Sequence, residues 1–162
     1  MKNSKTTFIA QAAIIAALYV VLTYLANLLG IASGVIQVRF SEALTILPYF
    51  TLSAVPGVTL GCLLANILTG GAVLDIIFGT LATFLGAVLT YLLRKKNAFL
   101  APVPPILSNT FIIPFVLKAA YGVPDAYPFL FITIFAGEFI SCGILGMLLL
   151  FALKKRADVI FR

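Results

Sequence analysis

The N-terminal part of the chain contains an uncharged, largely apolar stretch that extends from Thr6 to Val38. About 20 consecutive apolar residues suffice for a helix to cross the hydrocarbon core of a bilayer. The stretch is too long for the apolar region of a signal peptide, which has about 7–15 residues, so we interpret it as a retained first membrane span. Hydrophobic residues make up 62% of the whole chain and charged residues only 10%, whereas about a quarter of the residues in soluble domains are charged. We therefore predict an all-α integral membrane protein.

Glycines, prolines and charged residues divide the chain into six predicted spans within one transmembrane domain, residues 1–162. We predict these spans at residues 7–29, 42–54, 57–69, 75–93, 98–117 and 129–153. The segment from Ala43 to Leu68 could also form a single span, but Pro56 and Gly57 divide it, because a proline removes a helical hydrogen bond. We expect the two short spans that result to be imperfect crossings.

The distribution of basic residues decides between these two topologies. With one span on each side of Pro56, the N-terminus, Arg94-Lys95-Lys96 and Lys154-Lys155-Arg156 all lie on the same side of the membrane. With a single span, the basic run after Tyr91 would lie opposite the N-terminus. Cytoplasmic loops are enriched in lysine and arginine, so we predict a bundle of six transmembrane helices with both termini in the cytoplasm.

Arg39 and Glu42 lie three positions apart at the start of the second predicted span. An unpaired charge at the centre of a membrane helix costs about 2.5–3.5 kcal/mol, and helical spacing would let these two side chains meet. One interpretation is an interfacial helix start in which Ser41 is the N-cap. The other is a gate or ligand clamp at the outer face, where the predicted topology places both residues.

Glu138 and Asn109 are the polar residues predicted to lie deepest in the membrane. Glu138 follows Pro128 by ten positions, which corresponds to about 15 Å in a hydrocarbon core about 30 Å thick. Asn109 lies at a similar depth, nine positions before Lys118. An acidic residue at this depth usually marks a substrate or ion pathway. The alternative is a carboxyl group that hydrogen-bonds a neighbouring helix.

Three further polar residues, Asn66, Asp75 and Lys118, are predicted near the outer face. Together with the deeper residues they converge on a cavity that opens outward, so each is a candidate ligand contact. Each also has a structural alternative. Asn66 would form an interhelical hydrogen bond, Asp75 would cap a helix, and the Lys118 side chain would extend to the membrane surface.

The composition argues against an enzyme. The sequence has no histidine and no phosphate-binding loop, and Cys62 and Cys142 stand alone in apolar runs. Metal binding, nucleophilic catalysis and ATP hydrolysis are therefore not expected of this chain, and no cofactor or catalytic residue is predicted. The basic runs are short and are explained by topology, so nucleic-acid binding is not expected.

Four alanines of the first span, Ala12, Ala13, Ala16 and Ala17, form two overlapping Ala-x-x-x-Ala pairs. Small residues at this spacing let another helix pack closely. That helix belongs either to this chain or to a separate membrane subunit, and the spacing alone leaves both alternatives open.

Three blocks of the sequence have a pattern in common with one known group of proteins: Val38–Leu44, Pro56–Asn66 and Asp75–Thr83. In these blocks the chain resembles the substrate-binding S components of energy-coupling factor (ECF) transporters. Within that group it is most similar to the QueT-type family, which is assigned to the uptake of queuosine precursors. The alanine pairs are similar to the signature with which S components dock on their coupling subunit.

The resemblance implies a bacterial plasma-membrane protein with the six-helix S-component fold. Such a protein binds its substrate from outside, beneath the loop that joins the first two spans. The implied substrate is a 7-deazaguanine-type base such as preQ1, preQ0 or queuine. The implied partners are a membrane coupling protein (EcfT), which would contact the four alanines, and two cytoplasmic ATPases of the EcfA type. ATP hydrolysis by these partners would drive transport by toppling of the substrate-binding subunit.

The resemblance also suggests roles for individual residues. A 7-deazaguanine base presents a ring N–H and an amino group side by side, and one carboxylate can accept both hydrogen bonds. Glu138 is the first candidate for this acceptor, and Asn109 would bind the neighbouring carbonyl edge. Phe40, Tyr121 or Tyr127 would stack on the ring.

A cationic aminomethyl group on the substrate would suit Glu42 or Asp75, and the resemblance favours a gate or ligand-contact role for Arg39 and Glu42. Three other functions stay open at this point. The first is an S component for a different vitamin or nucleobase. The second is a membrane-embedded enzyme that modifies lipids with Arg39, Glu42 and Asp75. The third is a purely structural membrane subunit.

Overall fold

The computed structural model describes residues 5–32 and 37–161, apart from the side chain of Asp158. Part of the predicted loop between the first two spans, residues 33–36, lies outside the described residues, as does the basic residue Lys2. The described residues form helices joined by turns and short loops, with no strand among them. The prediction of an all-α protein is therefore confirmed.

The helices follow one another along the chain with short connections. Their bounds are α1 Lys5–Leu28, a 3₁₀ helix Phe40–Tyr49, α2 Ala54–Leu68, α3 Val73–Leu93, a short 3₁₀ turn Ala98–Leu100, α4 Val103–Tyr121, α5 Tyr127–Glu138, a π-helical segment Phe139–Gly146, α6 Met147–Lys154 and α7 Ala157–Ile160. The π-helical segment joins α5 to α6, so these three form one continuous helical rod.

Within the part of the chain that the structure describes, four helical stretches are long and apolar enough to cross a membrane: Lys5–Leu28, Val73–Leu93, Ala98–Tyr121 and Tyr127–Lys154. Many of their large apolar side chains are exposed at the surface of the bundle. A soluble protein rarely exposes contiguous apolar surface on this scale, whereas a bilayer solvates it. The chain is therefore a helical membrane protein.

The second predicted span, residues 42–54, is largely replaced by a 3₁₀ helix. Ten residues form this helix, and a 3₁₀ helix rises about 2 Å per residue, so it extends about 20 Å against a core of about 30 Å. Its residues 41–48 are all buried, because α1, α2, α3, α6 and the π-helical segment all contact it. It lies inside the bundle.

The 3₁₀ helix does not begin at Ser41. Arg39 occupies the N-cap position, and its side chain makes no capping hydrogen bond. The hydroxyl of Ser41 instead accepts a hydrogen bond of 2.9 Å from Thr23 on α1. The interpretation of Ser41 as an N-cap is therefore wrong, because tertiary contact with α1 uses the hydroxyl that a cap would need.

The described residues pass six times between the two ends of the bundle. α1 runs from the end marked by Gln11 to the end marked by Tyr24. The turn after the 3₁₀ helix is back at the first end, where Ser53 donates a hydrogen bond of 2.8 Å to Gln11. α2 returns to the second end, where Tyr24 donates one of 3.0 Å to the carbonyl of Leu68. The three later passes are α3, α4 and the rod of α5 and α6. The count of six membrane spans and the cytoplasmic position of both termini stay predictions.

Glycines let α1 and α2 approach closely. A Cβ atom at Gly61 would lie 2.6 Å from Cβ of Tyr19, and one at Gly57 would lie 3.0 Å from the carbonyl oxygen of Ala12. Real Cβ atoms do not approach other atoms as closely as 2.6 Å, so Gly61 is required for this helix pair. The contact turns the Tyr19 side chain into the centre of the bundle.

The same contact separates the four alanines into two pairs. Ala12 and Ala16 are buried, whereas Ala13 and Ala17 are exposed on the outer side of α1. The first pair therefore packs within this chain, against α2. The docking role predicted for all four alanines stays a prediction, and the exposed pair is free to serve it.

Candidate functional site

A small polar cavity lies at the centre of the bundle. Ile113 and Ile134 form apolar walls, and the polar lining residues are Gln37, Arg39, Glu42, Thr83, Asn109 and Glu138. The space open to the centre of a water molecule is only about 10 Å³, which is enough for a single water. A ligand the size of a bicyclic base would therefore require the walls to move apart. We call this space the central cavity.

Glu42 projects into the central cavity from the first turn of the 3₁₀ helix. The hydroxyl of Tyr19 on α1 donates a hydrogen bond to its Oε1, and the amide of Asn109 on α4 donates one of 3.5 Å to its Oε2. Its backbone carbonyl accepts a hydrogen bond of 2.6 Å from Thr45, and the thiol of Cys142, which has a single hydrogen to donate, lies 3.4 Å from the same carbonyl. Three other helical elements thus hold this residue in place.

Glu138, the last residue of α5, also lines the central cavity. The π-helical segment begins directly after it, and such wide helical turns often occur at functional sites. The side chain is only 9% exposed. Its carboxylate accepts a hydrogen bond of 3.3 Å from the thiol of Cys142, which is a weak donor, and the amide of Asn109 is a second partner. The donors to Glu138 are therefore weaker than those to Glu42, which include the hydroxyl of Tyr19.

The two carboxyl groups lie close together. Oxygens of Glu42 and Glu138 and the sulfur of Cys142 are all within 4.8 Å of one another. Two buried carboxyl groups at this distance do not readily both ionise, so a proton, a cation or an N–H donor between them relieves the repulsion. The three groups could also contact one metal ion, although a tetrahedral zinc site needs a fourth ligand.

Arg39 lies in the connection between α1 and the 3₁₀ helix, and its backbone N–H donates a hydrogen bond of 3.1 Å to Ser141. Burial alone lowers the pKa of Arg39, but the charges of Asp75 and Glu42 outweigh that effect and raise the pKa above its ordinary value. Among the described residues, no carboxylate forms an ion pair with its guanidinium. Arg39 and Glu42 therefore interact through charge rather than through the direct pairing that their spacing allows.

Gly137 allows the connection between α1 and the 3₁₀ helix to pack closely against α5. A Cβ atom at Gly137 would overlap the backbone carbonyl of Gln37. Only glycine therefore lets the segment from Gln37 to Arg39 pack here. The position of Arg39 at the cavity depends on a glycine that is adjacent to Glu138 in the sequence.

A second, larger cavity lies at the end of the bundle where α1 and α2 end. Its volume is about 590 Å³, and Arg39 lines it as well as the central cavity. Tyr121 donates a hydrogen bond of 2.9 Å to the carboxylate of Asp75 and accepts one of 3.1 Å from the backbone N–H of Ala72. The amide of Asn66 donates to the backbone carbonyl of Asp75 at 3.5 Å. We call this space the vestibule, and Arg39 lies between it and the central cavity.

The structure divides the predicted ligand contacts into three groups. Those that line the central cavity are Glu138, Asn109, Glu42 and Arg39. Those that line the vestibule, besides Arg39, are Asn66, Asp75 and Tyr121. Those that line neither space are Phe40, Lys118 and Tyr127. The ammonium group of Lys118 lies 4.9 Å from the ring centre of Tyr127, and Phe40 is the half-buried first residue of the 3₁₀ helix.

The most important residue that the sequence interpretation missed is Tyr19. It is 2% exposed and supplies the hydrogen bond that holds Glu42. A usable signal was present, because Ala12, Ala16, Tyr19 and Thr23 recur at intervals of three or four and so share one helix face. A tyrosine on a buried face needs a partner for its hydroxyl. Cys142 is a second such residue, because it stands alone in an apolar run of the sequence and yet its thiol contacts the carboxylate of Glu138.

Comparison with known proteins identifies the family. The family model described as QueT transporter matches residues 9–155. The chain belongs to the QueT transporter family. This membership confirms the resemblance seen in the sequence and indicates a transporter family rather than a family of enzymes.

One curated relative of this QueT-family chain is "Queuosine precursor transporter QueT" from Lactococcus lactis subsp. cremoris (strain MG1363). The two are 42% identical over 96 residues, which cover 59% of this chain and 56% of the relative. The match therefore spans a little over half of the relative's length. No solved structure matches the chain.

The buried hydrogen bond between Tyr19 and Glu42 generates a stability prediction. We expect Tyr19→Phe to lower the free energy of unfolding by about 1.5–3 kcal/mol, because a buried carboxylate would lose its hydroxyl donor. For a chain of this size that corresponds to a fall of about 3–12 °C in Tm, measured by thermal unfolding in detergent. The matched control is Tyr24→Phe, which removes an exposed hydroxyl bonded to a backbone carbonyl. Equal shifts in the two variants would contradict the role given to Tyr19.

Proposed function

We propose that this chain is the substrate-binding S component of an ECF-type importer and that it captures a queuosine precursor of the 7-deazaguanine class from outside the cell. Family membership supports a transporter, and the name of the Lactococcus relative supports this class of substrate. The central cavity is the observation that carries the proposal, because it combines buried acceptors and a buried amide with apolar walls.

The central cavity matches the hydrogen-bonding edge of a 7-deazaguanine. The ring N–H and the exocyclic amino group would both donate to Glu138, whose donors within the protein are the thiol of Cys142 and the amide of Asn109. The amide of Asn109 would then turn from Glu42, to which its present contact of 3.5 Å is long, and donate to the ring carbonyl. Ile113 and Ile134 would pack against the faces of the ring.

Buried hydrogen-bonding groups also give selectivity. A site built to bond a substrate N–H rejects an analogue that lacks it by as much as about 10⁴–10⁵-fold, because the site's own polar groups are then left unpaired. Glu138 would select in this way for bases that carry adjacent N–H donors. Adenine-type bases lack that pair of donors and would be excluded.

The vestibule would receive the substrate before it reaches the central cavity. Arg39 lies between the two spaces and would have to move, since the central cavity has room for only one water. Asp75 would attract an aminomethyl cation on the substrate, and Tyr121 beside it would stack on the ring. We assign Arg39 the role of gate, with Glu42 as the fixed carboxylate behind it.

The proposed partners are a membrane coupling subunit (EcfT) and two cytoplasmic ATPases of the EcfA type. The outer side of α1, with Ala13 and Ala17 exposed, would pack on the coupling subunit, because small residues permit close approach of helices. The six passes of the chain would all lie in the bacterial plasma membrane with both termini in the cytoplasm. ATP hydrolysis by the partners would topple this subunit and release the substrate inside.

Glu138→Gln tests the central assignment. The glutamine keeps the size of the side chain but loses the charge and presents an N–H group to donors on the base. We expect the affinity for 7-deazaguanine-type precursors to fall by at least about 30-fold, since breaking a buried charge-assisted pair costs 2 kcal/mol or more. Titration calorimetry of the purified chain measures this, and a thermal unfolding curve shows that the variant is folded.

The matched control for this test is Asp125→Asn, which neutralises an exposed acidic residue in the loop before α5. It should bind as the unmodified chain does. Unchanged affinity in Glu138→Gln would refute the role of Glu138. If only Glu42→Gln lowered the affinity for the precursor, Glu42 rather than Glu138 would be the acceptor for the base.

Dependence on the partner ATPases tests the ECF assignment separately. We expect cells that express this chain with all partner subunits to accumulate labelled precursor, and cells without the ATPases to fall to background uptake. Binding by the purified chain should not need the ATPases. Uptake that is undiminished without them would contradict an ECF mechanism and leave the binding assignment intact.

A further inference from the structure

An apolar groove runs along the outside of the bundle between α4 and the rod of α5 and α6. Its lining includes Phe99, Val103, Leu107, Phe139 and Phe151, and its volume is about 490 Å³. The rings of Phe99 and Phe151 meet edge to face with centres 5.8 Å apart. We call this the Phe99–Phe151 groove. Its surface is apolar along its whole length, so an apolar chain is the occupant that it fits.

Two basic runs flank one end of this groove. Lys96 precedes Phe99 by three residues, and Lys154 follows Phe151 by three residues. Because the two rings touch, the basic run that ends at Lys96 and the one that begins at Lys154 lie at the same end of the groove. Lys95, Lys96, Lys154, Lys155 and Arg156 are all exposed there. Among the side chains that the structure describes, no acidic group forms an ion pair with any of them.

Arg94 differs from these five residues. Its guanidinium donates a hydrogen bond of 2.6 Å to the carbonyl of Tyr91 and lies 3.5 Å from the centre of the Tyr91 ring. It is therefore occupied within the chain. The lysines beside it remain available to a phosphate group.

The chain contains a second apolar groove that serves as an internal comparison. It lies toward the opposite end of the bundle, is lined by Leu74, Phe78, Phe111 and Phe115 among others, and has a volume of about 330 Å³. The nearest cation in the sequence is Lys118, and its ammonium group lies over the ring of Tyr127. This groove is apolar but has no pair of basic runs at its end.

We propose that the Phe99–Phe151 groove binds one anionic phospholipid, with an acyl chain in the groove and the phosphate between Lys95-Lys96 and Lys154-Lys155. An acyl chain gains little by leaving surrounding lipid for the groove, because lipid tails are equally apolar. The shape of the groove therefore sets where the lipid lies, and the lysines set which headgroup is preferred. Basic pockets between membrane helices recognise anionic headgroups in this way.

Native mass spectrometry of the purified full chain tests this proposal. The protein would be titrated with phosphatidylglycerol and with phosphatidylcholine that carries the same acyl chains. We expect one phosphatidylglycerol to be retained with an affinity at least about tenfold higher than that of phosphatidylcholine. Lys154→Gln with Lys155→Gln should weaken phosphatidylglycerol binding roughly 25-fold, since each lysine near an anionic lipid contributes about a fivefold factor. Lys118→Gln should leave it unchanged.

A pair of groove variants separates the site from a general attraction to charge. Leu107→Trp fills the Phe99–Phe151 groove without changing the charge and should weaken phosphatidylglycerol binding severalfold. Leu74→Trp makes the same change in the comparison groove and should have no effect. The proposal would be overturned if the two lipids bound equally, or if the preference for phosphatidylglycerol were unchanged in the double lysine variant. It would also be overturned if the two tryptophan variants weakened phosphatidylglycerol binding equally. Loss of a co-purifying membrane subunit in Leu107→Trp, with lipid binding unchanged, would show that the groove is a protein contact instead.

Discussion

A carboxylate buried in an apolar bundle must find its hydrogen-bond donors within the protein, and Glu42 finds them on two different helices. Tyr19 of α1 and Asn109 of α4 both donate to it, and this fixes the 3₁₀ helix between them. The close packing of α1 on α2 at Gly61 directs Tyr19 inward. The helix that docks against α2 therefore also sets the position of the central carboxylate.

The carboxylate of Glu138 has weaker donors than that of Glu42. Its partners are the thiol of Cys142 and the amide of Asn109, which it shares with Glu42, and the wide π-helical segment begins directly after it. The two acids thus differ in their hydrogen-bond donors, although both line the same cavity. Arg39 neutralises part of the charge of this pair and separates it from the vestibule.

Much of this arrangement follows from the cost of carrying charge into an apolar chain. Arg39, Glu42, Asn109 and Glu138 stand out in the sequence because few other polar residues lie so deep, and the structure places all four around one cavity. The long membrane spans could be predicted from the length of the apolar stretches alone. The role of Tyr19 and the 3₁₀ form of residues 40–49 could not be predicted in the same way, because periodicity shows which residues share a helix face and not which helix that face meets.

A double-mutant cycle between protein and ligand tests the proposed contact of Glu138 most directly. Binding of 7-deazaguanine and of 7-deazahypoxanthine, which lacks the amino group, would be measured for the unmodified chain and for Glu138→Gln. If Glu138 accepts a hydrogen bond from that amino group, a base without the amino group binds the unmodified chain at least about tenfold more weakly. The same change in the base has almost no effect on binding to Glu138→Gln, because the effects of removing two interacting groups are not additive. The same cost in both proteins would show that Glu138 does not contact the base at this edge.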